Sequence, residues 1–224
     1  MWFSRHVHKV APAQRVSFST SKCHSQYPSQ MESKAGSIIV LSGGTSSRFG
    51  ADKSQAILGH QQLIHHILAS IPKEFEIIIV GADPLFPEIS YRCVQENPVG
   101  GGPVAGIAVA LELCESEIVG VLATDMPFAG AHMIHLLSAM TSHDDAIMYV
   151  DSQSYKQPLA ALYRRESLEN ALSTIGNPHG ASMRNLISHL NIHEIHMSPE
   201  IEKAMIDVDT PHDLVVAMEY LAKI

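Results

Sequence analysis

The sequence contains no run of about 18 consecutive apolar residues, the length a helix needs to cross a bilayer, so no membrane span is expected. Cysteine is scarce: Cys23, Cys93 and Cys114 are odd in number and none shares a Cys-x-x-Cys spacing. That pattern argues against a disulfide framework and a thiolate zinc site, and leaves reduced thiols in a cytoplasmic setting as the expectation. No internal repeat is present, and nothing past the first thirty residues is of low complexity. Acidic residues are missing altogether from residues 1–30, where Arg5, Lys9, Arg15 and Lys22 give a charge of +4. The rest of the chain carries 11 basic against 23 acidic side chains, a charge of −12. An acidic body repels the nucleic-acid backbone and anionic lipid surfaces, both of which are bound mainly through clustered Lys and Arg. Neither is expected as a partner, and any phosphate binding has to be confined to one small local site.

The first thirty residues also lack the 7–15-residue apolar stretch of a secretory signal, although their composition overlaps with that of organellar transit peptides. We expect residues 1–35 to be a basic, disordered leader, or the product of a start placed upstream of Met31, and exclude them from fold reasoning. What remains is rich enough in apolar residues, at 46% of the 224-residue chain, to pack a core. Short β-branched runs at 37–42, 76–81, 118–123 and 145–150 read as strands buried on both faces. Helical patterns lie at 61–71, 104–114, 130–141, 166–175, 182–190 and 211–222. Alternation of this kind implies βαβ units in one α/β domain, 36–224, with a mainly parallel, doubly wound sheet. Weaker strand signals at 159–163, 192–197 and 203–206 either complete the sheet or form a small antiparallel edge.

The segment after the first strand, Leu41-Ser42-Gly43-Gly44-Thr45-Ser46-Ser47-Arg48-Phe49-Gly50-Ala51-Asp52-Lys53, carries the strongest chemistry. Ligands of open α/β sheets bind outside the carboxyl ends of the strands, where this segment starts. Paired glycines allow close backbone approach, successive N–H groups can form an anion-binding nest, and Arg48 and Lys53 add fixed positive charge. Neither the Walker spacing nor G-x-G-x-x-G occurs here, so both common phosphate loops are excluded.

LSGGTSSRFGADK resembles the signature loop of nucleotidyltransferases that activate small phosphorylated molecules, specifically the molybdenum cofactor guanylyltransferase branch, L-A-G-G-x-S-x-R-M-G-x-D-K. Ser42 stands for Ala and Phe49 for Met, while Gly43 and Asp52 favour the guanylyl over the cytidylyl branch. The resemblance implies a three-layer, Rossmann-like fold of the nucleotide-diphospho-sugar transferase type, with a mainly parallel, mixed sheet. It implies Mg²⁺ as cofactor, GTP as nucleotide and a molybdopterin-type phosphorylated acceptor, with oligomeric state left open.

Three further motifs follow in order. Glu96-Asn97-Pro98-Val99-Gly100-Gly101-Gly102-Pro103-Val104-Ala105-Gly106 offers a glycine run that can lie flat against a planar ligand, and an acidic acceptor for guanine's N1–H and exocyclic amine. It is similar to the family's G-P-L-A-G element, with Glu96 where Asp is usual. Thr124-Asp125-Met126-Pro127 places a carboxylate directly after a strand, as in the family's C-D-M-P magnesium motif. Asp207-Val208-Asp209-Thr210-Pro211-His212-Asp213-Leu214 resembles N-x-N-T-P-x-D-L, with Asp at both Asn positions; Asp209 is a candidate metal ligand, and Thr210 the cap of a helix with Pro at its first position. Gln157-Pro158-Leu159 with Arg164-Arg165 is similar to the family's acceptor-side H-P-L-x-x-L-Y-R; the arginines read equally as a solvated helix start. The 14 histidines show no ligand spacing.

The residues expected to be catalytic are therefore Arg48, Lys53 and Asp125. Leu41, Gly43, Gly44, Lys53, Glu96, Gly102 and Asp125 are expected to bind nucleotide, and Asp125 and Asp209 metal. No nucleophile is needed, since nucleotidyl transfer depends chiefly on positioning and charge neutralisation. The same loop also serves transferases that use cytidine triphosphate or another acceptor, and a nucleotide-binding relative without turnover is a further alternative.

Overall fold

A computed structural model describes residues 34–42 and 56–224. The expectations for the leader before residue 34 and for Gly43, Gly44, Arg48 and Lys53 lie outside the described residues. The chain runs β1 (Gly36–Ser42), a hairpin of β2 (Ile57–Leu58) and β3 (Gln61–Gln62), α1 (Leu63–Ser70), β4 (Phe75–Gly81), β5 (Arg92–Val94), α2 (Pro103–Leu111) and β6 (Ile118–Ala123). A 3₁₀ turn (Ala129–His132) leads into α3 (Met133–Ala139), β7 (Ala146–Val150), β8 (Lys156–Arg164), α4 (Arg165–Ile175), α5 (Met183–Ile187), β9 (Ile192–His196), α6 (Pro199–Ala204) and α7 (Pro211–Leu221).

Seven strands form one sheet in the order β5-β4-β1-β6-β8-β7-β9. β8 pairs antiparallel with both its neighbours, and the other pairings are parallel. The apolar runs are continuous because each strand is covered on both faces. Ile38, Val40, Ile77, Ile79, Leu122, Ile147, Tyr149 and Leu162 meet α1, α3 and α6 on one side. Ile39, Ile78, Val80, Val121, Met148, Ala161 and Tyr163 meet α2, α4 and α5 on the other. Burying one such Ile or Leu side chain is worth about 1.5–3 kcal/mol, so these two faces carry most of the stability. A smaller cluster of Leu58, Leu63, Phe128, Ala204, Val208 and Ala217 fastens the hairpin and α7 to the end of the sheet.

The mixed, mainly parallel sheet between two helical layers is the expected fold class, with two differences of detail. The expected strand at 203–206 is instead the end of α6 and the turn after it. Ser198 accepts from the Ile201 N–H (3.4 Å), Pro199 occupies the first turn, and Glu200 and Glu202 complement the helix N-terminus, all of which start a helix. Of the two placements left open for the later strand signals at 159–163 and 192–197, the structure takes the first: they complete the sheet, β8 lying antiparallel between β6 and β7 and β9 lying at the edge beside β7. β5 and the short hairpin were not foreseen.

From β1 the chain builds outward to β4 and β5, then α2 carries it back across to β6 on the other side of β1. This reversal opens a crevice at the carboxyl ends of β1 and β6, the place where open α/β sheets bind ligands.

Candidate active site

β6 ends at Ala123, and Thr124 ties that end to β1 through its N–H and its hydroxyl, both donating to the Leu41 carbonyl (3.3 and 3.4 Å). A turn closed by Met126 N–H to the Ala123 carbonyl (3.2 Å) then leaves Asp125 partly exposed at the crevice. The segment before α7 comes to meet it. Val208 is fully buried in the small core cluster, and its N–H donates to the Asp125 carbonyl (2.9 Å). The Asp209 N–H also donates to the Asp207 carbonyl (3.2 Å), a tight turn centred on Val208 that leaves Asp207 exposed and Asp209 partly exposed on either side of the buried residue. Carboxylate oxygens of Asp125, Asp207 and Asp209 all lie within 4.8 Å of one another.

Asp209 is anchored by the cap of α7. The Asp213 Oδ2 accepts from the N–H groups of Asp209 (3.1 Å) and Thr210 (2.7 Å) and from the Thr210 hydroxyl (2.8 Å), while Thr210 Oγ1 accepts from the Asp213 N–H (3.3 Å). Pro211 fills the first helical position, where a missing N–H costs nothing. The donor set fits a hard divalent cation: three carboxylates offering oxygens within reach of one centre. Asp207 was not foreseen as a member of the cluster; the signal was the i, i+2 spacing with Asp209, but only the burial of Val208 shows that both turn outward.

The glycine segment forms the other wall. Glu96 Oε1 accepts from the N–H groups of Gly100 (3.0 Å) and Gly101 (3.2 Å), folding the segment into a tight loop. Gly100 and Gly102 both have φ near 86°, a conformation costly for any residue with a Cβ. Gly102 is the residue before α2, whose first position is Pro103. A Cβ on Gly106 would stand 3.0 Å from Leu41 Cδ2, 3.2 Å from Val80 Cγ1 and 3.4 Å from Glu96 Oε2, so the absence of a side chain seats α2 against the ends of β1 and β4. Leu41, Glu96 and Gly102 thus gather on one side of the β1 end, and Asp125, Asp207 and Asp209 on the other. Oε1 of Glu96 is engaged within its own loop, and Oε2 lies beside Gly106 at the start of α2.

The arginine pair does not join them. β8 runs antiparallel, so Gln157 lies at the carboxyl edge while Arg164, opposite Ile118, lies at the amino edge. Arg164 donates from Nε to the Asp144 carbonyl (2.9 Å) and from Nη2 to the Thr141 carbonyl (2.7 Å). Arg165 Nη1 donates to the Cys114 carbonyl (2.7 Å), and its Nε pairs with Glu169 (3.3 Å). Both side chains pin loops at the edge remote from the crevice.

Comparison with known proteins identifies the family and the fold. The family model for the MobA-like NTP transferase domain matches residues 38–194. A "Probable molybdenum cofactor guanylyltransferase" of Bacillus cereus is 30% identical over 162 residues, 69% of this chain and 80% of the relative. The molybdenum cofactor guanylyltransferase of Rhizobium johnstonii is 25% identical over 192 residues, 82% of this chain and 91% of that protein. Among solved structures, molybdopterin-guanine dinucleotide biosynthesis protein A from Archaeoglobus fulgidus superposes with a TM-score of 0.67 at 24% identity, covering 84% of this chain and all of that one. The 2-C-methyl-D-erythritol 4-phosphate cytidylyltransferase of Thermus thermophilus shares the fold with a TM-score of 0.62 at 16% identity, over 84% of this chain and 99% of its own. A family match over residues 38–194, from within β1 to within β9, places the chain in the MobA-like NTP transferase family of nucleotidyltransferases.

Proposed function

We propose that the protein transfers GMP from GTP to the phosphate of a molybdenum-bound, molybdopterin-type acceptor, releasing pyrophosphate, in the synthesis of a guanine dinucleotide form of the molybdenum cofactor. The observation that carries this reading is the gathering of Asp125, Asp207 and Asp209 beside the end of β1, where the glycine-rich segment departs. The names of the curated relatives support the choice of base and acceptor.

An oxygen of the acceptor phosphate attacks the α-phosphorus of GTP. A new P–O bond forms as the bond from the α-phosphorus to the bridging oxygen breaks, and pyrophosphate leaves with the electron pair. Gly43 and Gly44 offer backbone donors to the phosphates, Arg48 and Lys53 offset the charge that builds on the leaving group, and Leu41 and Gly102 line the nucleotide. Glu96 Oε2 accepts from the guanine edge. Asp125, Asp209 and Asp207 would hold Mg²⁺, which when bound supplies positive charge that neutralises and orients the triphosphate. Nucleic acid is not a partner in this reading, given the acidic body. A cytoplasmic setting fits Cys114, a buried free thiol. Among the described residues no helix is long and apolar enough to cross a membrane.

The test is magnesium-dependent pyrophosphate release with each nucleoside triphosphate in the presence of molybdopterin-bound molybdenum. GTP should support turnover, and Asp125→Ala should lower it by about a hundredfold or more, the scale of losing a central electrostatic group, without loss of fold. Near-normal turnover by that variant, or turnover with CTP but not GTP, would overturn the assignment.

A further inference from the structure

β8 ends at the amino edge of the sheet, so α4, which begins there at Arg165, runs back towards the carboxyl edge. The turn after it, residues 177–180, is thereby delivered to the glycine loop. Its shape is set by the Asn177 side chain, whose Oδ1 accepts from the His179 N–H (3.1 Å), and by Gly180 at φ 75°. The Gly180 N–H donates to the Gly101 carbonyl (2.8 Å). A Cβ on Gly101 would lie 3.1 Å from His179 Cδ2 and 2.6 Å from the Ala105 Cβ, so the imidazole rests against the bare α-carbon. Gly101 is buried between two exposed glycines, and Glu96 holds its N–H. The loop is therefore gripped twice, by Glu96 through its amides and by His179-Gly180 through the Gly101 carbonyl and α-carbon.

Three successive glycines have more backbone freedom to lose than any other tripeptide, and a loop ordered only on binding subtracts that loss from affinity. We propose that His179 is a positioning residue for the nucleoside triphosphate: its ring, laid on Gly101, keeps the Gly100–Gly102 turn in the shape the nucleotide meets. This rests on the reading of that loop as part of the nucleotide site. Glu96 has a recognition role as well in that reading, so its substitution cannot separate the two contributions. His179 acts through Gly101 and can be varied alone.

The experiment uses the full chain with Mg-GTP and the molybdopterin acceptor, following pyrophosphate release and melting temperature for wild type, His179→Ala and His179→Phe. His179→Ala should raise the KM for GTP by about tenfold, the scale of leaving one or two backbone residues to be ordered on binding, with kcat within about twofold. Its melting temperature should match wild type, because His179 is exposed. His179→Phe keeps a flat ring over Gly101 and should restore the KM. A wild-type KM in His179→Ala, a fall in kcat and melting temperature without a rise in KM, or a Phe variant no better than Ala would overturn the proposal. A wild-type chain that releases no pyrophosphate from GTP would overturn the functional reading itself, before any variant is compared.

Discussion

Replacing Asp213 by alanine removes the acceptor for three donors at once: the Asp209 N–H, the Thr210 N–H and the Thr210 hydroxyl. Loss of one helix cap costs about 0.5–2 kcal/mol, and the upper half of that range applies because both members of the capping box are affected. Water reaches the exposed Thr210 and moderates the loss, which places it near about 1.5 kcal/mol. In a chain of this size each kcal/mol lowers the melting temperature by roughly 2–4 °C, so Asp213→Ala should melt about 3–6 °C below wild type. The Thr210 hydroxyl, and after it the Thr210 and Asp209 amides, hold the Asp213 carboxyl below the usual aspartate range. A carboxyl whose folded pKa is depressed stabilises the fold above its unfolded pKa, about 3.9 for aspartate, and loses that effect as pH falls through the folded value. The deficit should therefore be full at neutral pH and close only in strong acid. Asp213 also anchors the backbone of Asp209, so the rise in melting temperature given by millimolar Mg²⁺ should be smaller in the variant than in wild type. Thermal unfolding with and without Mg²⁺ measures both. A variant melting within about 1 °C of wild type would refute the cap reasoning, and a full Mg²⁺ shift would refute the link between the cap and the carboxylates.

Arg164→Ala should cost about 1–3 kcal/mol through the lost bonds to the Asp144 and Thr141 carbonyls, with turnover unchanged because these lie at the edge remote from the crevice; a fall in kcat without a fall in stability would contradict that placement. Burial pushes the Cys114 thiol up to about 11, so the native chain should resist alkylation at that residue at mildly alkaline pH, and unfolding in urea should expose it. Peptide mapping after a timed alkylation reads this, and rapid modification of Cys114 in the native chain would count against it.

The central strands were legible because burial on both faces forces an unbroken apolar run, and β1, β4, β6 and β7 fall within a residue or so of the expected ranges. β8 was only half legible. It opens with Lys156, Gln157 and Pro158, and only its later residues read as a strand. Its direction is set by the turn at Asp151, whose Oδ1 accepts from the N–H groups of Gln153 (2.9 Å) and Tyr155 (2.8 Å). That direction is also what sends Arg164 and Arg165 to the far edge, so their place could not be read from motif order. β5 has three residues, all partly exposed and one of them Arg92, too short for any periodicity to register. At the candidate site Asp125 was readable as a carboxylate between a strand end and Pro127, a purely local pattern. Asp207 joins it through the burial of Val208, a long-range packing event with no local signature. The contact of residues 177–180 with Gly101 likewise depends on how α4 is aimed.

The backbone bond from the Val208 N–H to the Asp125 carbonyl joins segments far apart in the chain. A molecule with its sheet assembled but residues 206–221 still undocked holds Asp125 and neither of the other two carboxylates. The cluster is therefore complete only in species in which this segment has docked, and a cation that needs all three carboxylates discriminates against the others. Added Mg²⁺ should lower the unfolding rate and leave the refolding rate nearly untouched when docking of this segment follows the folding barrier. The ion would then act as a kinetic latch on the closing step of folding, engaging only after the rest of the chain has found its place.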